Sequence, residues 1–227
     1  MDGTQHVIDL EIEIPIKEVL RMMGCRRGAP VRPALRELVE RLVAESRSVL
    51  RPRGVYAVYD VERVGGTELV LRGCRTVYGP VAEFLRPARR VAVFVLTLGD
   101  AIERLSAERL HRGETLEGYT LNAIGSAAAD VATDAMADSV YWREAGPEEG
   151  ITPPFSPGYC GMALEEQQTL FSIVDGSAIG VTLLPTMIME PIKSVSGLLG
   201  IGDAREVMRH GVPCQRCDLE QCRMRRG

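Results

Sequence analysis

The run Val91-Ala92-Val93-Phe94-Val95-Leu96-Thr97-Leu98 constrains the fold more than any other stretch of the chain. Thr97 is its single polar member. Eight residues rich in β-branched and aliphatic side chains, ended by Gly99, read as a strand buried on both faces. Asp100 follows as a candidate N-cap for a helix over 101–110. A longer helix is expected over 116–142. Ala123, Gly125, Ala127, Ala128, Ala129, Ala132 and Ala135 give it faces of small side chains. Small residues let another element approach closely, so this is expected to be the central packing helix.

The remaining elements fall around these two. Ile8, Leu10, Ile12 and Ile14 alternate with acidic residues, the period of a half-buried strand, and Pro15 ends it. A short helix is expected over 16–23, stopped by Gly24. Leu35, Leu38, Val39, Leu42 and Val43 share one face of a helix over 33–49, with Pro33 in its first turn. Segments 55–61 and 69–71 read as a hairpin turning at Gly65-Gly66. Four prolines, at 147, 153, 154 and 157, make 147–157 an extended loop. A helix over 164–174, a strand over 179–184 and a strand over 193–197 complete the pattern. The expected fold is α+β, a twisted antiparallel sheet with packed helices. Residues 1–90 form an N-terminal α/β lobe of the same unit, 91–209 the core, and 210–227 a cysteine-rich tail.

Composition bounds the function. A net charge of −4 argues against a nucleic-acid partner, which needs a dominant basic surface. No apolar run approaches the ~20 residues of a membrane span. Residues 1–13 lack the basic-then-apolar pattern of a secretory signal, so a cytoplasmic location with reduced thiols is expected. The three histidines, His6, His111 and His210, form no nucleophile–base pattern, and neither a Walker-type phosphate loop nor a dinucleotide fingerprint is present.

The chemistry concentrates after the proline loop. In Phe155-Ser156-Pro157-Gly158-Tyr159-Cys160-Gly161, Gly158 lets backbone approach a ligand and Pro157 stiffens the approach. By itself Pro-Gly-Tyr reads as a structural turn, since Pro and Gly dominate turns. Further signals follow in order: Leu164-Glu165-Glu166-Gln167, Leu170-Phe171, Ile179-Gly180-Val181, Pro191, and Lys193-Ser194-Val195-Ser196-Gly197. Together with Thr97-Leu98-Gly99 and Ala123-Ile124-Gly125-Ser126-Ala127-Ala128, this resembles the activation domain of cobalamin-dependent methionine synthase, in the short stand-alone form found beside corrinoid methyltransferases. The resemblance runs from about Val91 onward and is loose before Arg90.

The resemblance implies S-adenosylmethionine as ligand, held along the loop by Ser156, Pro157, Gly158 and Tyr159. It implies an acidic residue on the long helix, for which Asp130 is the candidate in the series Asp130, Asp134, Asp138. Lys193, Ser194 and Ser196 are further candidate contacts for the ligand or the corrinoid partner, and alternating polar and small residues in a strand give the same pattern without function. The resemblance also implies docking onto a corrinoid-binding protein or a methionine synthase core, whose cobalamin is remethylated after reduction by a donor such as flavodoxin or ferredoxin. One position departs from the family. An arginine five residues before the tyrosine meets the S-adenosylmethionine carboxylate there, and this chain has Pro154. Lys193 and Arg143 are the candidate substitutes.

The tail carries a second signal, His210-x3-Cys214-x2-Cys217-x4-Cys222. Three thiols in a polar, arginine-flanked segment have no core to fill. The spacing suits zinc or an iron–sulfur cluster, with His210 or Cys160 as fourth ligand. Uncoordinated thiols and redox disulfide chemistry are the other readings. Cys25 and Cys74 stand alone and read as small core residues, and Met162, Met187 and Met189 as packing. Two functions therefore compete. One is a reactivase acting in trans with S-adenosylmethionine. The other is a non-catalytic docking or redox module working through the tail cysteines.

Overall fold

The computed structural model describes residues 3–26, 28, 30–209 and 211–216. In chain order the elements are β1 (His6–Asp9), α1 (Ile16–Met22), α2 (Pro33–Ser46), β2 (Arg53–Gly65), β3 (Glu68–Leu71), β4 (Thr76–Tyr78), α3 (Val81–Phe84), β5 (Arg90–Thr97), α4 (Ala101–His111), α5 (Thr115–Glu144), β6 (Glu149–Ile151), α6 (Glu166–Ile173), β7 (Thr182–Leu183), β8 (Met189–Glu190), β9 (Ser194–Asp203) and α7 (Ala204–Arg209). Short 3-10 turns occupy Gly176–Ile179 and Pro213–Arg216.

The apolar run becomes β5, and its place explains its composition. It lies between β2 and β9, antiparallel to both, in the order β4-β3-β2-β5-β9-β6. Successive side chains of a strand point to opposite faces. Ala92, Phe94 and Leu96 enter one core, beneath α5, α1 and α2. Val91, Val93 and Val95 enter the other, with α3, α6 and the Gly176–Ile179 turn. Both faces are sealed, so between Arg90 at its start and Thr97 at its end the strand carries no polar residue.

The long strand β2 pairs with β1 and β5 over its first half. A register irregularity between Val61 and Arg63 bends it toward β3 and β4. The first 90 residues thus build part of the same sheet as the rest. Helix α5 spans 30 residues, and Leu121, Ile124, Ala127, Ala128, Ala132 and Met136 lie in the core on its inner side. Among the described residues no helix is long and apolar enough to cross a membrane.

Several sequence expectations need correction. Only His6–Asp9 of the alternating N-terminal segment pairs as a strand, although Ile8, Leu10 and Ile14 are all buried. The strand expected over 179–184 is a 3-10 turn and a two-residue strand, because Asp175 accepts a hydrogen bond from the Ser177 N–H and Gly180 takes φ +76°. Asp100 makes no side-chain cap on α4. The proline loop contains a short strand, β6, which pairs with the end of β9.

That pairing is reinforced by a half-buried cluster. Glu149 accepts hydrogen bonds from the Gly146 N–H and from Arg90, which also donates to the Glu144 carbonyl at 2.9 Å. The Gly146 hydrogen bond, then the Arg90 charge, hold the Glu149 carboxyl below its ordinary value of 4.5, partly offset by burial. A carboxylate with a depressed native pKa contributes stability above the unfolded value and loses it as the pH falls through the native one. Glu149→Gln is therefore expected to destabilise by about 1 kcal/mol at neutral pH. The difference should shrink as the pH drops below 4.5, in paired urea titrations across pH 3–7. A pH-independent gap would assign the effect to packing.

Candidate functional site

Strand β9 organises the site through its outer edge. Near its C-terminal end that edge pairs with β6, then bonds Thr152 at Gly200, then exchanges two hydrogen bonds between Leu198 and Phe155. In an antiparallel ladder the backbone groups that face one neighbour recur every second residue. Gly200 and Leu198 face outward, so Ser196 and Ser194 do as well. Among the described residues no strand pairs with them on that side. The chain leaves the edge after Phe155, and a groove of about 730 Å³ opens there. That is ample for a nucleoside-sized ligand.

The loop over the groove is locally determined. Tyr159 N–H donates to the Ser156 carbonyl at 3.2 Å, Gly158 N–H to Met162 at 3.0 Å, and Met162 N–H to Tyr159 at 3.0 Å. Gly158 sits at φ +82°, which a side chain rarely adopts. Its N–H is spent inside the loop rather than offered to a ligand. Pro157 is buried, whereas the Tyr159 ring is 58% exposed. Cys160, also at positive φ (49°), follows on the same wall.

The structure brings together Ser156, Pro157, Gly158, Tyr159, Cys160 and Asp130 as lining of this one groove. Asp134, one turn further along α5, joins Asp130, while Asp138 does not line it. Asp130 also accepts from Arg21 at 3.1 Å, which fixes the carboxylate. Pro154 lines the groove as well. No lysine, arginine or histidine does so among the described residues. Neither Lys193 nor Arg143 reaches it.

Lys193 goes elsewhere. It precedes Ser194 and follows the alternation toward α5, where its aliphatic stem covers Gly125 and its ammonium donates to Ser126 at 3.0 Å. Burial pushes the ammonium below its usual pKa, opposed by Glu103. Lys193 lines a separate, smaller cavity of about 210 Å³ with Ile102, Glu103 and Asn122.

One groove residue, Gln167, escapes the sequence reading as a site residue, and a second, Ser196, reads there as either a ligand contact or a plain strand residue. Gln167, at the first turn of α6, is 6% exposed and its Oε1 has no hydrogen-bond partner among the described residues. Ser196 is 2% exposed, and its Oγ has no hydrogen-bond partner among the described residues. Both line the groove. A buried polar atom without a partner is costly, and native structures seldom keep one without a reason. Two atoms lining the same groove are open to hydrogen bonds from a bound molecule, water or ligand. Both residues stand in the sequence motifs, yet their burial could not be read from it.

Of the tail set, Cys214 lines the groove. His210, Cys217 and Cys222 lie outside the described residues. Among the described residues no three His, Cys, Asp or Glu side chains converge as a metal set.

Fold and groove together define an α+β domain with a nucleoside-sized groove at the open edge of its sheet, lined on the α5 side by Asp130 and Asp134. The structure is similar to the crystal structure of the MetH reactivation domain bound to AdoHcy, with a TM-score of 0.67 and 13% identity, over 87% of this chain and 78% of that one. The likeness shows a shared fold, as the sequence resemblance implied. No family model matches the chain, and no curated protein does.

Proposed function

We propose that the protein binds S-adenosylmethionine in this groove and reactivates a corrinoid methyltransferase or a split methionine synthase in trans. The observation that carries the reading is the pair of buried atoms Gln167 Oε1 and Ser196 Oγ, which have no partner among the described residues and belong to residues lining a nucleoside-sized space. Gln167 Oε1 is an acceptor and suits an amino or hydroxyl donor of the ligand, while the Ser196 hydroxyl suits either role. Asp130 and Asp134 give the helix side of the groove negative charge. That favours a ligand bearing a sulfonium and an ammonium. The shared fold with a reactivation domain seen holding AdoHcy supports the same ligand class.

In this reading the chain's own residues bind and orient the methyl donor, and the corrinoid protein presents its cobalt over the groove. One electron from flavodoxin or ferredoxin reduces the cobalt. The methyl carbon then leaves the sulfur for the cobalt, and S-adenosylhomocysteine remains. A second reading, a docking or redox module that binds no S-adenosylmethionine, is favoured by one observation. The groove lining offers no cation to the ligand carboxylate among the described residues.

Calorimetric titration tests the proposal. S-adenosylmethionine is expected to bind with a dissociation constant below the millimolar range, and no heat at millimolar ligand would sink the reading. Ser196→Ala supplies a sharper check. Removing an unpartnered buried hydroxyl leaves the free protein as stable or more so, yet weakens binding by about two- to tenfold. A loss of stability with unchanged binding would make Ser196 structural.

A further inference from the structure

We propose that the groove takes its ligand by an L-α-amino acid end, which adds to the open edge of β9 as a strand one residue long. The α-ammonium donates to the Ser196 carbonyl, and the carboxylate accepts from the Ser196 N–H. The inference rests on the S-adenosylmethionine reading and assigns that ligand's amino-acid end to one place in the groove.

The ladder supplies the place. Leu198 stands opposite Val93 of β5, and Ser196 opposite Val95. Leu198 spends both backbone groups on Phe155, at 2.8 and 2.9 Å, so the alternation turns both backbone groups of Ser196 to the same outer side. If the Phe155 pairing continued, residue 157 would come opposite Ser196. That residue is Pro157, which has no N–H to donate. The chain turns away there, and Tyr159 N–H closes back on the Ser156 carbonyl at 3.2 Å. Among the described residues no strand pairs with Ser196 on this side.

A free α-amino acid carries a donor and an acceptor on one carbon, as a strand residue does. Two antiparallel residues that exchange both hydrogen bonds place their side chains on the same face. For Ser196 that is the face of Leu198, which belongs to the core of Leu170 and Ile173 from α6. Gln167 lies three residues before Leu170 on that helix. The nucleoside arm therefore leaves the edge toward Gln167 Oε1 and Ser196 Oγ, the two buried atoms with no partner among the described residues. The pairing also holds a carboxylate without a side-chain cation, and the groove lining offers none among the described residues. A backbone N–H gives a carboxylate a charge-assisted hydrogen bond and adds no net charge.

Calorimetric titration of the full chain with four ligands tests the pairing. They are S-adenosylmethionine, its decarboxylated analogue, and the L and D forms of S-adenosylhomocysteine. By charge alone the decarboxylated analogue should bind more tightly, because the lining it meets holds Asp130 and Asp134 and no cation among the described residues. The pairing demands the reverse, a loss of about ten- to a hundredfold, the worth of one charge-assisted hydrogen bond. The D form keeps every group and charge. Once its two backbone bonds are made, however, its nucleoside arm points to the α5 face. It is expected to bind at least about tenfold more weakly than the L form, through loss of the contacts on the α6 face.

A decarboxylated analogue that binds as well as S-adenosylmethionine, or better, overturns the inference. Equal binding of the D and L forms overturns it too, since that describes an end held by charge without strand geometry. Both of these outcomes leave S-adenosylmethionine as the ligand. Absence of heat with millimolar S-adenosylmethionine itself overturns the inference and the proposed function together.

Discussion

Phe94→Ala is expected to destabilise the protein by about 3–5 kcal/mol, a large part of the ~5–15 kcal/mol that holds a domain together. Phe94 sits in the middle of β5, fully buried, on the face beneath α5. It stands opposite Gly197 in the register with β9, and its ring fills the space that a side chain at 197 would take. A Cβ built there would lie 2.8 Å from Cζ of Phe94 and 2.9 Å from the Phe155 carbonyl. Removing the ring leaves a void between sheet and helix that the Ala-rich side of α5 cannot collapse to fill. Urea unfolding reads the effect as a lower midpoint at unchanged slope.

Gly197→Ala makes the opposite error at the same spot. Overpacking against Phe94 is expected to cost about 1–3 kcal/mol. Combined with Phe94→Ala it should cost less than alone, because the ring it meets is gone. The rescue should be incomplete, since the Phe155 carbonyl remains. Strict additivity of the two changes would show that ring and glycine do not share the space. The pairing bears on function because Phe155 and Leu198 form the last bridge before the groove opens.

The elements legible in the sequence are those whose cause is local. The run that becomes β5 announces burial on both faces by composition alone. The alanines of α5 announce close packing. Strand β9 was half seen, because Gly197, Gly200 and Gly202 interrupt its apolar pattern. Those glycines answer to neighbours remote in sequence: Phe94, Ala88 and the Pro87 carbonyl crowd their missing side chains. Strand β6 was hidden among prolines, since only its partner strand makes it a strand. At the site, Ser156 to Tyr159 stood out as a motif, but Lys193 was grouped with Ser194 and Ser196 although the two-residue period sends it to the other face. Gln167 carried no visible mark as a site residue, and Ser196 stood evenly between a ligand contact and a plain strand residue. An unsatisfied hydrogen bond exists only once the surroundings have closed around it.

Pro154→Arg is expected to tighten S-adenosylmethionine binding by about ten- to a hundredfold, the worth of one charge-assisted, bidentate carboxylate contact. The position faces the groove, whose lining presents carboxylates but no cation among the described residues. The backbone tolerates the change. A proline has no N–H to lose, and arginine readily adopts its φ. The loss of rigidity should lower stability by only about 0.4–1 kcal/mol, acting through the unfolded chain. Pro154→Ala carries that same loosening without the charge and isolates it. S-adenosylhomocysteine bears the same carboxylate, so both ligands should gain by the same factor and their ratio should stay fixed. Under the proposed function, that ratio is set instead by Asp130 and Asp134, the carboxylates on the helix side of the groove. If Pro154→Arg and Pro154→Ala bind alike, the amino-acid end of the ligand does not lie against residue 154. The balance then moves to the docking module, in which the groove serves the partner protein and not the methyl donor.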